Sequence, residues 1–154
     1  RIGYAVGPAE LIKAMIKIQG QSTSNASSIS QYAALAGIKG NNDFLQPCLK
    51  AFDERRKFVV GKLNDIVGIK CVMPKGAFYA YPNVEGLVGK KTVEGKTLAN
   101  DTEIVEWLLD TAEVAAVPGS AFGLEPYFRV SYATSLDLLT EAMDRIEKAV
   151  LTLS

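Results

Sequence analysis

Arg129 carries the clearest chemical potential in this chain. It sits in Tyr127-Phe-Arg-Val-Ser-Tyr132, where strand alternation sends Phe128, Val130 and Tyr132 to one face and Tyr127, Arg129 and Ser131 to the other. An arginine so placed offers a planar, permanently charged fork that can hold a carboxylate through two parallel hydrogen bonds. Strand position alone favours the plainer reading, an arginine on a solvated face. Arg1 could bind a phosphate, although a lone arginine at a chain end is more often simply solvated. Ser22, Thr23, Ser24 and Asn25 set hydroxyl and amide groups side by side; they can bond a phosphate, and such groups more commonly cap a helix. The aromatic run of Phe78, Tyr79 and Tyr81 is more often core than a platform for a flat ligand. Gly119-Ser-Ala-Phe-Gly123 is too short for a dinucleotide fingerprint and leads into a strand, so as a phosphate loop it is weak.

Composition narrows the chemistry further. The 154 residues contain no histidine, which excludes a Ser-His-Asp or Cys-His site built from this chain alone. Cys48 and Cys71 lack metal-ligand spacing, so no metal site is expected and both read as reduced, partly buried thiols of a cytoplasmic protein. Lysine plus arginine is 17 and aspartate plus glutamate is 17, without the basic excess of a nucleic-acid binder. The one basic cluster, Arg55-Arg56-Lys57, follows Asp53-Glu54 directly and reads as a solvated helix face. At 48% hydrophobic and 22% charged the composition is globular, and no apolar run is long enough to cross a bilayer.

The elements that must position these residues follow from periodicity. Arg1 to Gly7 reads as a short strand ending at Gly7-Pro8, and Pro8 opens a helix with Leu11, Ile12, Met15, Ile16 and Gln19 on one face. The polar stretch from Gln19 to Ser30 reads as a loop, with Asn25 or Ser27 capping the helix that follows. The longest helical pattern runs from Asn42 to about Val67, where Arg56 interrupts the apolar face of Leu45, Leu49, Phe52, Val59, Leu63 and Ile66. Strands are expected over Ile69–Met73, Ala77–Tyr81, Val114–Val117 and Tyr127–Tyr132, with an exposed glycine- and lysine-rich excursion over 84–100. Asn100 and Glu103 have capping-box spacing ahead of a short helix, and a last helix runs from Ser135. Strands alternating with helices make this an α/β fold.

Four motifs, in order, resemble landmarks of the class I aminotransferases: RIGYAVGP, PKGAFYAYPNV, VAAVPGSAFG and FRVSYATS. In detail the chain looks most like bacterial aspartate aminotransferases. The resemblance implies the C-terminal small domain of a fold type I pyridoxal-phosphate-dependent transferase plus the tail of its large domain. It divides the chain into a large-domain remnant over 1–43, a bridging helix over 44–66 and the small domain over 67–154. It gives Arg1 the cofactor phosphate and Arg129 the substrate α-carboxylate. It also places Ser22, Thr23 and Asn25 where such enzymes reach across a homodimer interface toward the neighbour's cofactor, and Phe78 at the edge of the substrate pocket.

The implied reaction is transamination between an amino acid, aspartate above all, and a 2-oxo acid. In the family, the Schiff-base lysine lies upstream of the RIGY arginine. The expectation is therefore a C-terminal fragment, inactive alone, with neither Lys39 nor Lys75 standing in for that lysine. The first forty or so residues are then expected to be poorly ordered or abnormally packed, because their apolar faces lack a partner. Alternatives are another enzyme of the class acting on alanine, aromatic or branched-chain amino acids, an effector-binding domain of a transcription regulator, or a non-catalytic interaction domain.

Overall fold

A computed structural model describes all residues, 1–154, and the chain divides into two compact units, Arg1–Gln46 and Pro47–Ser154. The first unit holds two helices, α1 (Ala9–Ser22) and α2 (Ser28–Lys39). Both form, but neither buries a residue within the chain, so their apolar faces stand without a partner. Arg1 to Gly7 is not a strand. A strand needs a neighbour for its backbone groups, and no other segment pairs with it.

Helix α3 (Leu45–Asp65) begins just before the division, with Pro47 in its first turn, where the missing N–H is not needed. Its apolar face is buried only toward the C-terminal end, at Val59, Val60 and Leu63, while Leu49 remains 60% exposed. Arg56 marks the change. It donates to the Pro74 carbonyl at 2.7 Å and pairs with Asp53, so its charge is satisfied without entering the core.

The segment Ile69–Met73 is not a strand either, contrary to its alternation. Lys70 makes an isolated bridge to Asn83, and the Asn64 side chain takes both backbone groups of Cys71: Oδ1 accepts its N–H at 2.8 Å and Nδ2 donates to its carbonyl at 2.9 Å. A side chain thus occupies the ladder position that a second strand would need. The true sheet is small and antiparallel, in the order β1 (Tyr79–Ala80), β3 (Phe128–Ser131), β2 (Val117–Pro118). Tyr79 faces Ser131 and Val117 faces Arg129 across the ladders.

The excursion over 84–100 is less exposed than its glycines and lysines suggest. Val84, Leu87 and Leu98 are fully buried, and the Lys91 and Ser154 backbones bond each other in both directions. Helix α4 (Asp101–Ala112) then starts on a variant of the expected capping box: Asn100 Oδ1 accepts from Glu103 N–H at 3.0 Å, while Glu103 accepts at 2.8 Å from the N–H of Ala99, one residue before the cap. Helix α5 (Leu136–Val150) is capped by Ser135 and buries Leu139, Met143, Ile146 and Val150, one face of a regular helix. Phe128 and Val130 of β3, Ile104 and Leu108 of α4 and Leu63 of α3 complete this core.

Candidate functional site

Strand β3 alternates as its sequence dictates: Phe128 and Tyr132 are 0% and 1% exposed, Val130 is buried, and Arg129 is half-buried on the other face. Because Tyr79 sits opposite Ser131, Arg129 is its diagonal neighbour, within reach of an aromatic side chain. The guanidinium carbon lies 4.4 Å from the centre of the Tyr79 ring and 4.5 Å from that of Phe122. Two ring faces therefore flank the cation, an attraction of about 0.5–2 kcal/mol for each ring.

No carboxylate of the chain claims this arginine. The ion pairs join Asp53 to Arg56 and Lys57, Lys62 to Asp144, and Arg145 to Glu113 and Glu141. Arg129 makes none, so its five N–H donors remain free for an external anion. By contrast, Arg145 lines the groove between Glu113 and Leu138 but is already neutralised by two glutamates.

The Phe122 wall stands on a tightly folded loop. A 3₁₀ turn over Gly119–Phe122 is followed by Gly123 at φ 74°, and Gly119 N–H donates to the Tyr127 carbonyl at 2.7 Å. Gly119 is required here, since a side chain would run into the Leu124 carbonyl and into Tyr127. Tyr81 supports the loop from below. Its hydroxyl donates to the Gly119 carbonyl at 3.3 Å, and its ring stacks on Tyr127 at 5.3 Å and meets Phe122 edge-on at 6.4 Å. Burial holds the Tyr81 phenol above its ordinary pKa and the Asp101 carboxylate pushes the same way, while the Arg129 charge opposes them. The hydroxyl stays a neutral donor at neutral pH.

Phe78 is 41% exposed and lies 4.6 Å from Tyr79 and 6.3 Å from Phe52, centre to centre. It adds an open aromatic edge to the group of Arg129, Tyr79 and Phe122. The phenylalanine of the 119–122 turn and the role of Tyr79 were not legible beforehand, because both depend on which strands become neighbours.

Arg1, Ser22, Thr23 and Asn25 belong to the other unit, and all four are exposed. Ser22 lies in the last turn of α1 rather than in a loop, and Thr23 is the residue that ends it. Ser24 takes a left-handed φ of 64°, and Asn25 N–H turns back to the Thr23 carbonyl at 2.8 Å. Ser27 precedes α2 without a side-chain bond, and Asn25 does not cap it. The hydroxyl and amide side chains here are thus uncommitted, as is the Arg1 guanidinium. Arg1 is a permanent cation at the chain end, and Ser22, Thr23 and Asn25 are neutral donors beyond the far end of α1. Cys48 is exposed rather than partly buried, and Cys71 is buried. No helix is long and apolar enough to cross a membrane.

Comparison with known proteins identifies the family. The family model for aminotransferase class I and II matches residues 1–146. A probable aspartate/prephenate aminotransferase of Rhizobium leguminosarum bv. phaseoli is 52% identical over 96% of the chain, and an aspartate aminotransferase of Rhizobium meliloti (strain 1021) is 52% identical over 97%. The crystal structure of the aspartate aminotransferase from Rhizobium meliloti superposes with a TM-score of 0.83 at 50% identity, covering 96% of the chain and 37% of that protein. An alanine aminotransferase from Pyrococcus furiosus gives 0.75 at 33% identity, covering 92% and 34%. The chain spans 37% and 36% of the two Rhizobium relatives' lengths.

Proposed function

The chain belongs to the aminotransferase class I and II family, and on that premise we propose that it forms part of a pyridoxal-phosphate-dependent aminotransferase acting on aspartate and a 2-oxo acid. The observation that carries this reading is the unpaired Arg129 guanidinium, flanked by Tyr79 and Phe122. A substrate carboxylate meets there a planar cation with no internal competitor. The choice of aspartate rests on the names of the two 52% identical Rhizobium relatives; among the more distant structures an aspartate aminotransferase mutant from Thermus thermophilus, at 32%, stands level with alanine and aromatic enzymes at 33% and 34%. Prephenate as the amino acceptor is the second reading, favoured by the name of the Rhizobium leguminosarum relative.

When bound, pyridoxal phosphate supplies the electron sink that makes the substrate α-proton removable. Arg129 holds the α-carboxylate and so fixes which α-substituent faces the reaction, a contribution of orientation. Tyr79 and Phe122 keep the guanidinium from folding away toward solvent, and Phe78 borders the pocket. Arg1 is assigned the cofactor phosphate. Ser22, Thr23 and Asn25 are assigned to the cofactor site of the second subunit in a cytoplasmic homodimer; their exposed, uncommitted donors support this. The domain reading is a large-domain remnant over 1–43, a helix over 44–66 bridging to a small domain, and the small domain over 67–154. It is supported by the division of the chain at Gln46 and Pro47.

Arg129→Lys in the complete aminotransferase tests the assignment. Lysine keeps the charge but loses the fork. One charge-assisted hydrogen bond contributes about 1.5–3 kcal/mol, so kcat/KM for the amino acid should fall roughly tenfold to a hundredfold. Near-normal kinetics would overturn the reading.

A further inference from the structure

Asp101 is 1% exposed, one of only two buried polar or charged residues of the chain, the other being Thr92. It opens helix α4, where an acidic residue complements the helix dipole. Yet the capping there is done by others: Asn100 accepts from Glu103 N–H, and Glu103 returns to Ala99 N–H. The Asp101 carboxylate turns instead toward the loop between β2 and β3. A single oxygen, Oδ2, accepts from Ser120 N–H at 3.0 Å and from Tyr127 N–H at 3.3 Å. These two amides stand at the beginning and the end of the loop that carries Phe122. Beside them the Thr102 and Ser120 hydroxyls meet at 3.2 Å, a second stitch between α4 and the same loop. The other carboxylate oxygen, Oδ1, is buried without a hydrogen-bond partner. A half-satisfied buried carboxylate is a poor way to stabilise a core, so its use lies in what the satisfied oxygen organises.

We propose that Asp101 is a positioning residue for Arg129: it clasps the two ends of the Ser120–Tyr127 loop and thereby holds the Phe122 ring over the guanidinium. The link from that ring to substrate affinity rests on the reading of Arg129 as a carboxylate grip. Asp101 touches neither Arg129 nor a substrate. It acts through the loop, and losing it loosens one of the two aromatic walls, leaving the Gly119–Tyr127 backbone bond and Tyr81 to hold it, while Tyr79, on its strand, stays in place.

The geometric half is tested on the whole 154-residue chain by the proton resonance of the Arg129 Nε–H group, which two flanking rings shift away from its ordinary position. Asp101→Ala should move that resonance in the same direction as Phe122→Ala does, and Asp101→Asn, whose amide oxygen can still accept both N–H groups, should return it. An unmoved resonance in Asp101→Ala overturns the proposal. Should Asp101→Ala fail to fold, amide exchange in the unsubstituted chain decides instead. Ser120 and Tyr127 N–H must exchange slowly and in step; fast exchange at both overturns the clasp. The affinity half is read in the complete aminotransferase. Asp101→Ala should raise KM for the amino acid about threefold to tenfold, the range of one lost cation–ring contact, with kcat changed less than about twofold. Asp101→Asn should bring KM back. A shifted resonance with unchanged KM overturns the link to affinity. A silent Arg129→Lys would instead sink the functional reading and leave the resonance result standing.

Discussion

Arg129 and Tyr79 occupy adjacent strands as diagonal neighbours two residues apart in register, with the guanidinium carbon 4.4 Å from the ring centre and no ion pair to a carboxylate of the chain. A strand contact of this kind is rigid on both sides, so the ring orients the cation before any ligand arrives. Tyr79→Phe should therefore be nearly silent, because the ring remains. Tyr79→Leu removes the ring face and should raise KM for the amino acid by about fivefold in the complete enzyme, the effect of roughly 1 kcal/mol of cation–ring attraction. Equal behaviour of the two variants would refute the contact.

The start of α4 is set by Asn100, whose side chain accepts from Glu103 N–H at 3.0 Å. Asn100→Ala should lower the stability of the second unit by about 1 kcal/mol, as a lost N-cap usually does. Urea unfolding followed by the single tryptophan, Trp107 of this helix, reads it directly. A midpoint shift with unchanged slope is the expected result.

The two thiols should behave oppositely. Cys48 is exposed, whereas Cys71 is buried and its pKa is pushed up by burial, with a backbone hydrogen bond to Tyr81 opposing. A thiol-specific chromophoric reagent at mildly alkaline pH should label Cys48 promptly and Cys71 only at the rate of unfolding. Prompt labelling of both would contradict the burial of Cys71.

Burial also raises the pKa of the Tyr132 phenol above its ordinary 10.0, against the nearby Arg56 charge, which lowers it. The folded state then holds the proton more tightly than the unfolded chain. The resulting stability is fully present below pH 10 and is lost as pH rises from there through the folded pKa. Tyr132→Phe should flatten the alkaline limb of the stability curve, although it also removes the bond from the hydroxyl to the Ala77 carbonyl. An alkaline limb as steep as in the unsubstituted protein would speak against it.

What the sequence disclosed, and what it hid, follows one physical division. Helices α3, α4 and α5 were legible because their signals are local: a period of apolar residues, Asn100 with Glu103, Ser135 before Leu136. The alternation of β3 was legible for the same reason, and with it the face on which Arg129 stands. The strands expected at Arg1–Gly7 and Ile69–Met73 failed because a strand is defined by its neighbour, and neither finds one. The excursion over 84–100 misled through its glycines and lysines, since Val84, Leu87 and Leu98 inside it are core residues. In the candidate site, Arg129 and Phe78 could be singled out by residue type and motif. Phe122 and Asp101 could not, because their part arises only once α4 and the β2–β3 loop are folded against each other.

Asn64 acts as a strand made of one side chain: besides the two bonds to Cys71, its Nδ2 donates to the Val60 carbonyl at 2.9 Å. That arrangement ties the backbone path after α3 to both atoms of one side-chain amide. Asn64→Asp would replace this nitrogen with oxygen and leave the side chain's shape almost untouched. A donor facing two carbonyls would become a third acceptor bearing charge. The Cys71 N–H would keep its acceptor while the Cys71 carbonyl lost its donor, leaving the Lys70–Asn83 bridge to hold the segment after α3.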